Sequence, residues 1–301
     1  MANERAYAAA HFALSLDNNE DCGVIRSIEG GGVKVDATTY RYGSGHETWK
    51  ALGKPKFEAI KLQVGMALGQ PFYTWISEFF TGKCVRKEGA IIAADFKYQE
   101  RARRNFSNAI ISEITLPALN AADKNAAYMG VSIVPEKIVF VKGGGRQLAP
   151  AKGMDQQKLW TCARFNMTID QFPEACRRAT KVDAATIKMN VIEHHIGGQL
   201  EPFKFGSRID YPNLAFTVPE ADFQPVADKM QAYWNNKQRP PNFSGTLQYL
   251  DNSLAVLGTL TFTGANIISI VPDRSDATTE ELKMVKVELY TESMTMKFGA
   301  G

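Results

Sequence analysis

The feature that most constrains this chain is that it says the same thing twice. Phe12-Ala-Leu-Ser-Leu-Asp17 returns in the second half as Phe165-Asn-Met-Thr-Ile-Asp170. Asn105 to Pro117 returns as Thr261-Phe-Thr-Gly-Ala-Asn-Ile-Ile-Ser-Ile-Val-Pro272, and the closing apolar runs end at Phe140 and Phe298. The spacing between copies drifts by a few residues, as loops absorbing insertions would cause. Two related surfaces on one chain can pair as two identical subunits would, which points to a symmetric assembly.

At 301 residues the length fits two domains, and the repeat divides the chain in the same place. Between the halves, Lys142-Gly-Gly-Gly-Arg-Gln-Leu-Ala-Pro is glycine-rich and polar. The expected organisation is therefore a domain over 1–142, a linker over 143–158 and a second domain over 159–301. A hydrophobic share of 45% and a charged share of 22% are those of a globular protein, and a net charge of +3 does not by itself call for a nucleic-acid partner. Cys22, Cys84, Cys162 and Cys176 have no zinc-like or CxxC spacing. Cys22 and Cys176 fall at matching places in the two halves and read as small buried residues rather than as a bridge. The N-terminus lacks a signal-peptide pattern and no stretch is long and apolar enough for a membrane span or anchor. Synthesis in a bacterial cytoplasm is the expectation.

Most periodic stretches alternate with period two. Phe12, Leu14 and Leu16 do so, as do Phe165, Met167 and Ile169, then Val285, Val287 and Leu289, then Met294, Met296 and Phe298. Such runs predict strands with one buried face. Each half breaks the pattern once with a helical spacing. Phe72, Trp75, Ile76, Phe79 and Phe80 follow Pro71, and Phe223, Val226, Ala227, Met230, Tyr233 and Trp234 follow Asp222, a candidate cap. Ahead of each helix lies a long turn-rich stretch, Tyr40 to Lys56 and His194 to Arg208, which leads into a strand. Stretches of this length without periodicity are often functional, and contact with a neighbouring molecule would suit them. The fold class is thus mainly β: two tandem antiparallel barrel or sandwich domains, each with one amphipathic helix.

Chemistry-bearing candidates are few. His194 and His195 are adjacent, so in a strand they point to opposite faces, and they read as exposed loop residues rather than metal ligands. Gly30-Gly-Gly32 and Gly143-Gly-Gly145 lack the Lys-Ser/Thr of a phosphate loop and read as turns. Lys97, Arg101, Arg103 and Arg104, with Phe96 and Tyr98, could touch nucleic acid, but a solvated hairpin tip or an ion-pair patch is the simpler reading. No nucleophile–base pattern stands out, so neither an enzyme nor a cofactor is expected.

Beyond these local signals, the order of the motifs resembles the tail tube family of contractile phages and extracellular contractile injection systems and, more distantly, the type VI secretion tube. In the first half the match is carried by Tyr40-Arg-Tyr-Gly43, by Gly53-Lys-Pro-Lys-Phe-Glu-Ala-Ile-Lys-Leu62, by the helix Phe72 to Lys83, and by Phe106-Ser-Asn-Ala109 to Pro117. In the second half it is carried by Ile196-Gly-Gly198, Gly206 to Val218, the helix from Phe223, and Phe262-Thr-Gly-Ala265 to Pro272. A usual member has one such domain and builds hexameric rings. The resemblance therefore implies homotrimeric, pseudo-hexameric rings stacked into an inner tube that conducts DNA or protein cargo, with sheath, baseplate hub and tail terminator proteins as further partners. It places the chain in a virion tail tube or an injection-system particle. It also implies inter-ring contact loops, with Tyr42, His46, Trp49, Lys54, Lys56, His195, Phe203 and Arg208 as the contact residues. The second loop lacks the basic close Lys54-Pro55-Lys56, so the two halves would make unlike contacts. The alternatives are a trimeric hub or tube-initiator ring joining tube to spike and, from another class, a duplicated β-domain enzyme or ligand-binding protein.

Overall fold

A computed structural model describes residues 11–20, 22–23, 25–41, 43, 46, 48–66, 68–148, 160–199, 201–273 and 282–299. Before residue 149 the elements are β1 (His11–Leu16), β2 (Ile25–Gly30), β3 (Val33–Tyr40), β4 (Trp49–Phe57), β5 (Ile60–Gly65), α1 (Gln70–Phe80), β6 (Lys87–Ala94), β7 (Glu100–Leu116), β8 (Leu119–Asn120), β9 (Tyr128–Val134) and β10 (Lys137–Lys142). After residue 159 come β11 (Phe165–Ile169), β12 (Lys181–Val182), β13 (Ala185–His194), β14 (Phe203–Asp210), β15 (Leu214–Pro219), α2 (Glu220–Asn235), β16 (Phe243–Leu250), β17 (Val256–Pro272), β18 (Met284–Tyr290) and β19 (Ser293–Phe298). The expected fold class, mainly β with one helix in each half, is what the chain adopts.

The strands form where apolar side chains alternate, since only then can one face of a sheet be buried. In β5, Ile60, Leu62 and Val64 are buried while Lys61 and Gln63 face out; β15 buries Leu214, Phe216 and Val218. Burial of each such side chain is worth about 1.5–3 kcal/mol. The long central strands β7 and β17 are built alike. Gly89 faces Phe106 across β6 and β7, and Gly245 faces Phe262 across β16 and β17. A Cβ at Gly89 would overlap the Phe106 ring and the Ser15 carbonyl, and one at Gly245 would overlap the Phe262 ring and the Thr168 carbonyl. Glycine is what lets a phenylalanine lie flat on the neighbouring strand at both places.

Helix α1 starts at Gln70 with Pro71 in its first turn, buries Phe72, Trp75, Ile76, Phe79 and Phe80, and ends before Gly82, whose φ is +77°. It stops short of Lys83. Helix α2 tolerates Pro225 in its first turn and buries Phe223, Val226 and Met230. Two sequence expectations fail here. Asp222 makes no cap, because α2 begins at Glu220 and the Asp222 carboxylate instead accepts hydrogen bonds from Arg178. Trp234 is 43% exposed and Tyr233 only partly buried, so the buried stripe of α2 ends at Met230.

One apolar core runs through both halves, and backbone pairing joins them. Strand β13 pairs antiparallel with β7, from Lys188–Glu113 to Ala185–Leu116, and β12 pairs with β8, at Val182–Leu119 and Lys181–Asn120. A step of one residue on one strand matches a step of one on the other, so the two ladders share one register, with a break between Val182–Leu119 and Ala185–Leu116. The result is a band of strands in the order β2, β5, β9, β7 with β8, then β12 with β13, β15, β18 and β17. Residues 143–148 of the expected linker lie against the first half: Glu100 N–H donates to Arg146 C=O, Leu148 N–H donates to Tyr98 C=O, and Leu148 is buried. Residues 149–158 lie outside the described residues.

Candidate functional site

The turn-rich stretches that the sequence singles out are hairpins. In the first, β3 and β4 pair Tyr40 with Trp49, Ala37 with Leu52 and Lys34 with Lys56, with a bulge after Val35. In the second, β13 and β14 pair His194 with Phe203, Val191 with Gly206 and Lys188 with Asp210, with a bulge after Met189. The Gly30-Gly-Gly32 segment is the turn into β3, with φ of +79° at Gly30 and +73° at Gly31.

The second hairpin is docked. Besides its ladder to β7, the buried Lys204 N–H donates to the buried Glu136 carboxylate at 2.8 Å. Arg86 donates to Lys204 C=O at 2.8 Å, and its guanidinium lies over the Phe205 ring, 4.9 Å from the centroid. Gly206 N–H donates to Cys84 Sγ at 3.1 Å, and Lys137 pairs with Glu201 at 2.9 Å. A cleft of about 410 Å³ remains at this seam, lined by Ser107, Glu136, Lys137, Gln199, Glu201 and Phe203. A second contact between the halves stacks Tyr73 of α1 on Phe298 of β19, centroids 4.2 Å apart.

The first hairpin is not docked in this way. Among the described residues, strands β3 and β4 pair only with each other, and Val33, Val35, Tyr40, Trp49 and Leu52 are exposed, Leu52 at 77%. Across the molecule, the segment of β17 from Ser269 to Pro272 pairs with β18 on one side and, among the described residues, with nothing on the other. Unpaired edges of this kind invite another chain.

Of the residues expected to touch a neighbouring ring, Tyr42 lies outside the described residues. His46, Trp49 and His195 are exposed at the ends of the hairpins, Arg208 is exposed on β14, and Phe203 stacks on Phe205. Lys54 Nζ donates to Gln199 C=O at 3.0 Å, which brings the two loops together, and Lys56 pairs with Asp36 at 2.6 Å. The clasp residues Glu136, Arg86 and Cys84 were not singled out from sequence; isolated polar residues in turns give no periodic signal.

The other candidates resolve into ordinary contacts. Arg101 pairs with Asp95, Arg103 with Glu100 and Glu20, and Arg104 donates to Gly30 C=O, so this cluster is largely neutralised within the chain. Among the described residues no three metal-ligating side chains lie together, and all four cysteines are free. No helix among them is long and apolar enough to cross a membrane.

The face of the strand band turned away from the core is polar and balanced. Glu29, Lys61, Ser132, Glu113 and Lys188 lie in one cross-strand row, Asp183, Ala215, Glu288 and Ser269 in another, and Lys181, Thr217, Lys286 and Val271 in a third. Lys188 approaches Glu113 at 3.8 Å and Lys286 approaches Asp183 at 2.7 Å.

Residues 8–138 match the family described as T4-like virus tail tube protein gp19. No curated protein matches the chain. Among solved structures, a chain of the sheath-tube complex of an extracellular contractile injection system, PVC, in the extended state is similar at 20% identity, covering 47% of this chain and 95% of that one, TM-score 0.41. A chain of the anti-feeding prophage tube-terminating cap is similar at 19% identity, covering 48% and 95%, TM-score 0.41. Hcp1 from Flavobacterium johnsoniae is similar at 12% identity, covering 45% and 96%, TM-score 0.26. Over residues 8–138, the first half of the chain is similar to the tail tube family.

Proposed function

We propose that this protein is a structural tube subunit of a phage tail or injection-system particle, with tail-tube-like domains over 1–142 and 159–301 joined by a linker over 143–158. Three chains close into a pseudo-six-fold ring, and rings stack into a tube that conducts DNA or protein. The observation that carries this reading is the strand band with two unlike open ends, β2 with its free hairpin at one and β17 at the other. Such ends are complementary rather than identical, so copies join head to tail, and head-to-tail contacts close into rings when the rotation permits. Closure removes the exposed edges.

In such a ring the polar face of the band lines the bore. Its lysines are matched by carboxylates, so the wall does not bind a polyanion by releasing counterions, and a passing polymer is not held. The hairpin residues His46, Trp49, Lys54, Lys56, His195, Phe203 and Arg208, together with Tyr42, serve as contacts to the next ring. Sheath, hub and terminator proteins are the partners such a tube meets.

Electron microscopy of the purified full chain tests the proposal. Long tubes with a central bore support it. Single three-fold rings that never stack favour a hub or initiator ring, and a stable monomer at high concentration removes both.

A further inference from the structure

The docked hairpin fixes how the undocked one is used. We infer that hairpin β3–β4 of one copy docks on the second half of another copy, pairing Val33 with Ile270 and Lys34 with Ser269 and setting the Lys50 N–H on the Glu292 carboxylate. This rests on the ring proposed above and adds its lateral register and clasp.

The register follows from matching ladders. Bulges after Val35 and after Met189 align the hairpins, so Val33, Lys34, Trp49, Lys50 and Leu52 occupy the places of Ile187, Lys188, Phe203, Lys204 and Gly206. The Gly89–Phe106 and Gly245–Phe262 pairs, and the bulges after Ile111 and Ile267, align β7 with β17. Glu113 and Ile114 then correspond to Ser269 and Ile270. The observed pairs Lys188–Glu113 and Ile187–Ile114 become Lys34–Ser269 and Val33–Ile270 between copies.

The clasp follows in the same way. Glu136 and Glu292 each donate their backbone N–H to the matching carbonyl, that of Ser107 and that of Thr263. Glu136 is buried because the docked hairpin covers it and offers it the Lys204 N–H. The Glu292 side chain is 59% exposed, touched by Asn242 Nδ2 at 3.2 Å and Arg239 at 4.0 Å. Exposure of the hairpins tells the same story. Ile187 and Met189 are 0% and 4% exposed on the docked hairpin, against 45% and 42% for Val33 and Val35 at the matching places on the free one. A second copy covers those residues, and no other occupant is required to match both strand register and carboxylate. The seams are not alike: Ser269 stands in for Glu113, and Asn242 stands where Arg86 does. The contact between copies is therefore less ionic than the seam within the chain.

The test uses the full chain carrying V33C and I270C, oxidised in the assembled state and run without reductant. Facing residues of an antiparallel ladder bring Cβ atoms within disulfide reach, so covalent dimers and trimers are expected. V33C with S269C, whose side chains point to opposite faces, is expected to give none. Cross-linking only within monomers, or equal cross-linking of both pairs, overturns the inference. Rings in the microscope without cross-linked species overturn the register and leave the ring standing; absence of both removes the ring itself. As a second readout, Glu292→Ala is expected to raise the concentration for half-assembly about ten-fold or more while leaving the unfolding midpoint of the dilute chain unchanged. Unchanged assembly of that variant overturns the clasp.

Discussion

The backbone N–H of Lys204 donates a 2.8 Å hydrogen bond to the carboxylate of Glu136, and both residues are buried although they belong to opposite halves of the chain. Hydrogen bonds to a charged acceptor out of water are among the stronger ones. Glu136→Ala is expected to lower unfolding stability by about 2–4 kcal/mol, because the amide and the nearby Arg86 lose their acceptor. Chemical denaturation of the dilute chain measures this, and a change below about 0.5 kcal/mol would show that the seam does not depend on the carboxylate.

Gly89→Ala and Gly245→Ala are expected to cost about 1–3 kcal/mol each, since a methyl group at either site meets a packed ring and a backbone carbonyl. Gly144→Ala, with nothing within 4 Å of its Cβ, is the neutral comparison. Thermal unfolding of the three variants ranks them.

Tyr249 packs against Trp160, ring centroids 5.5 Å apart, and its buried hydroxyl has no hydrogen-bond partner among the described residues. Burial pushes this phenol well above its ordinary range. Removing an unpaired buried hydroxyl relieves a desolvation cost, so Tyr249→Phe is expected to leave stability unchanged or raise it by up to about 2 kcal/mol. A loss of stability in denaturant melts would show that the hydroxyl has a partner such as a buried water.

Burial pushes the Cys176 thiol up from 9.0 to about 12. The folded state thus prefers the protonated thiol. Its contribution is fully present below the unfolded value and is lost as pH rises from about 9 toward 12. At pH 8 an alkylating reagent is expected to label Cys176 only as fast as the chain opens. Mass spectrometry of a labelling time course checks this, with rapid labelling of the native chain as the contrary result.

Much of the architecture was legible because it rests on periodic burial. The alternation of Leu14 with Leu16 and of Val285 with Val287, and the stripe from Phe72 to Phe80, each demand one kind of element. The hairpins were legible only as long irregular stretches, since Val33, Val35 and Leu52 are exposed in the single chain and carry no core pattern. The ladder joining β13 to β7 was not legible, because pairing between distant strands leaves no local trace. Trp234 misled for a related reason: helical spacing continues past Met230, where the burial of α2 stops. Glu136 and Glu292 looked like any turn carboxylate, and only the placement of a hairpin over one of them distinguishes the two.

The pairing of the two halves in one register, from Lys188–Glu113 to Lys181–Asn120, has a kinetic consequence. In a ring of three such chains, every second lateral joint is covalently tethered before any two molecules meet. Closure then scales with the third power of chain concentration, where subunits carrying one domain each face the sixth. Scarce synthesis would still yield complete rings, and a ring with an odd number of domains could never form.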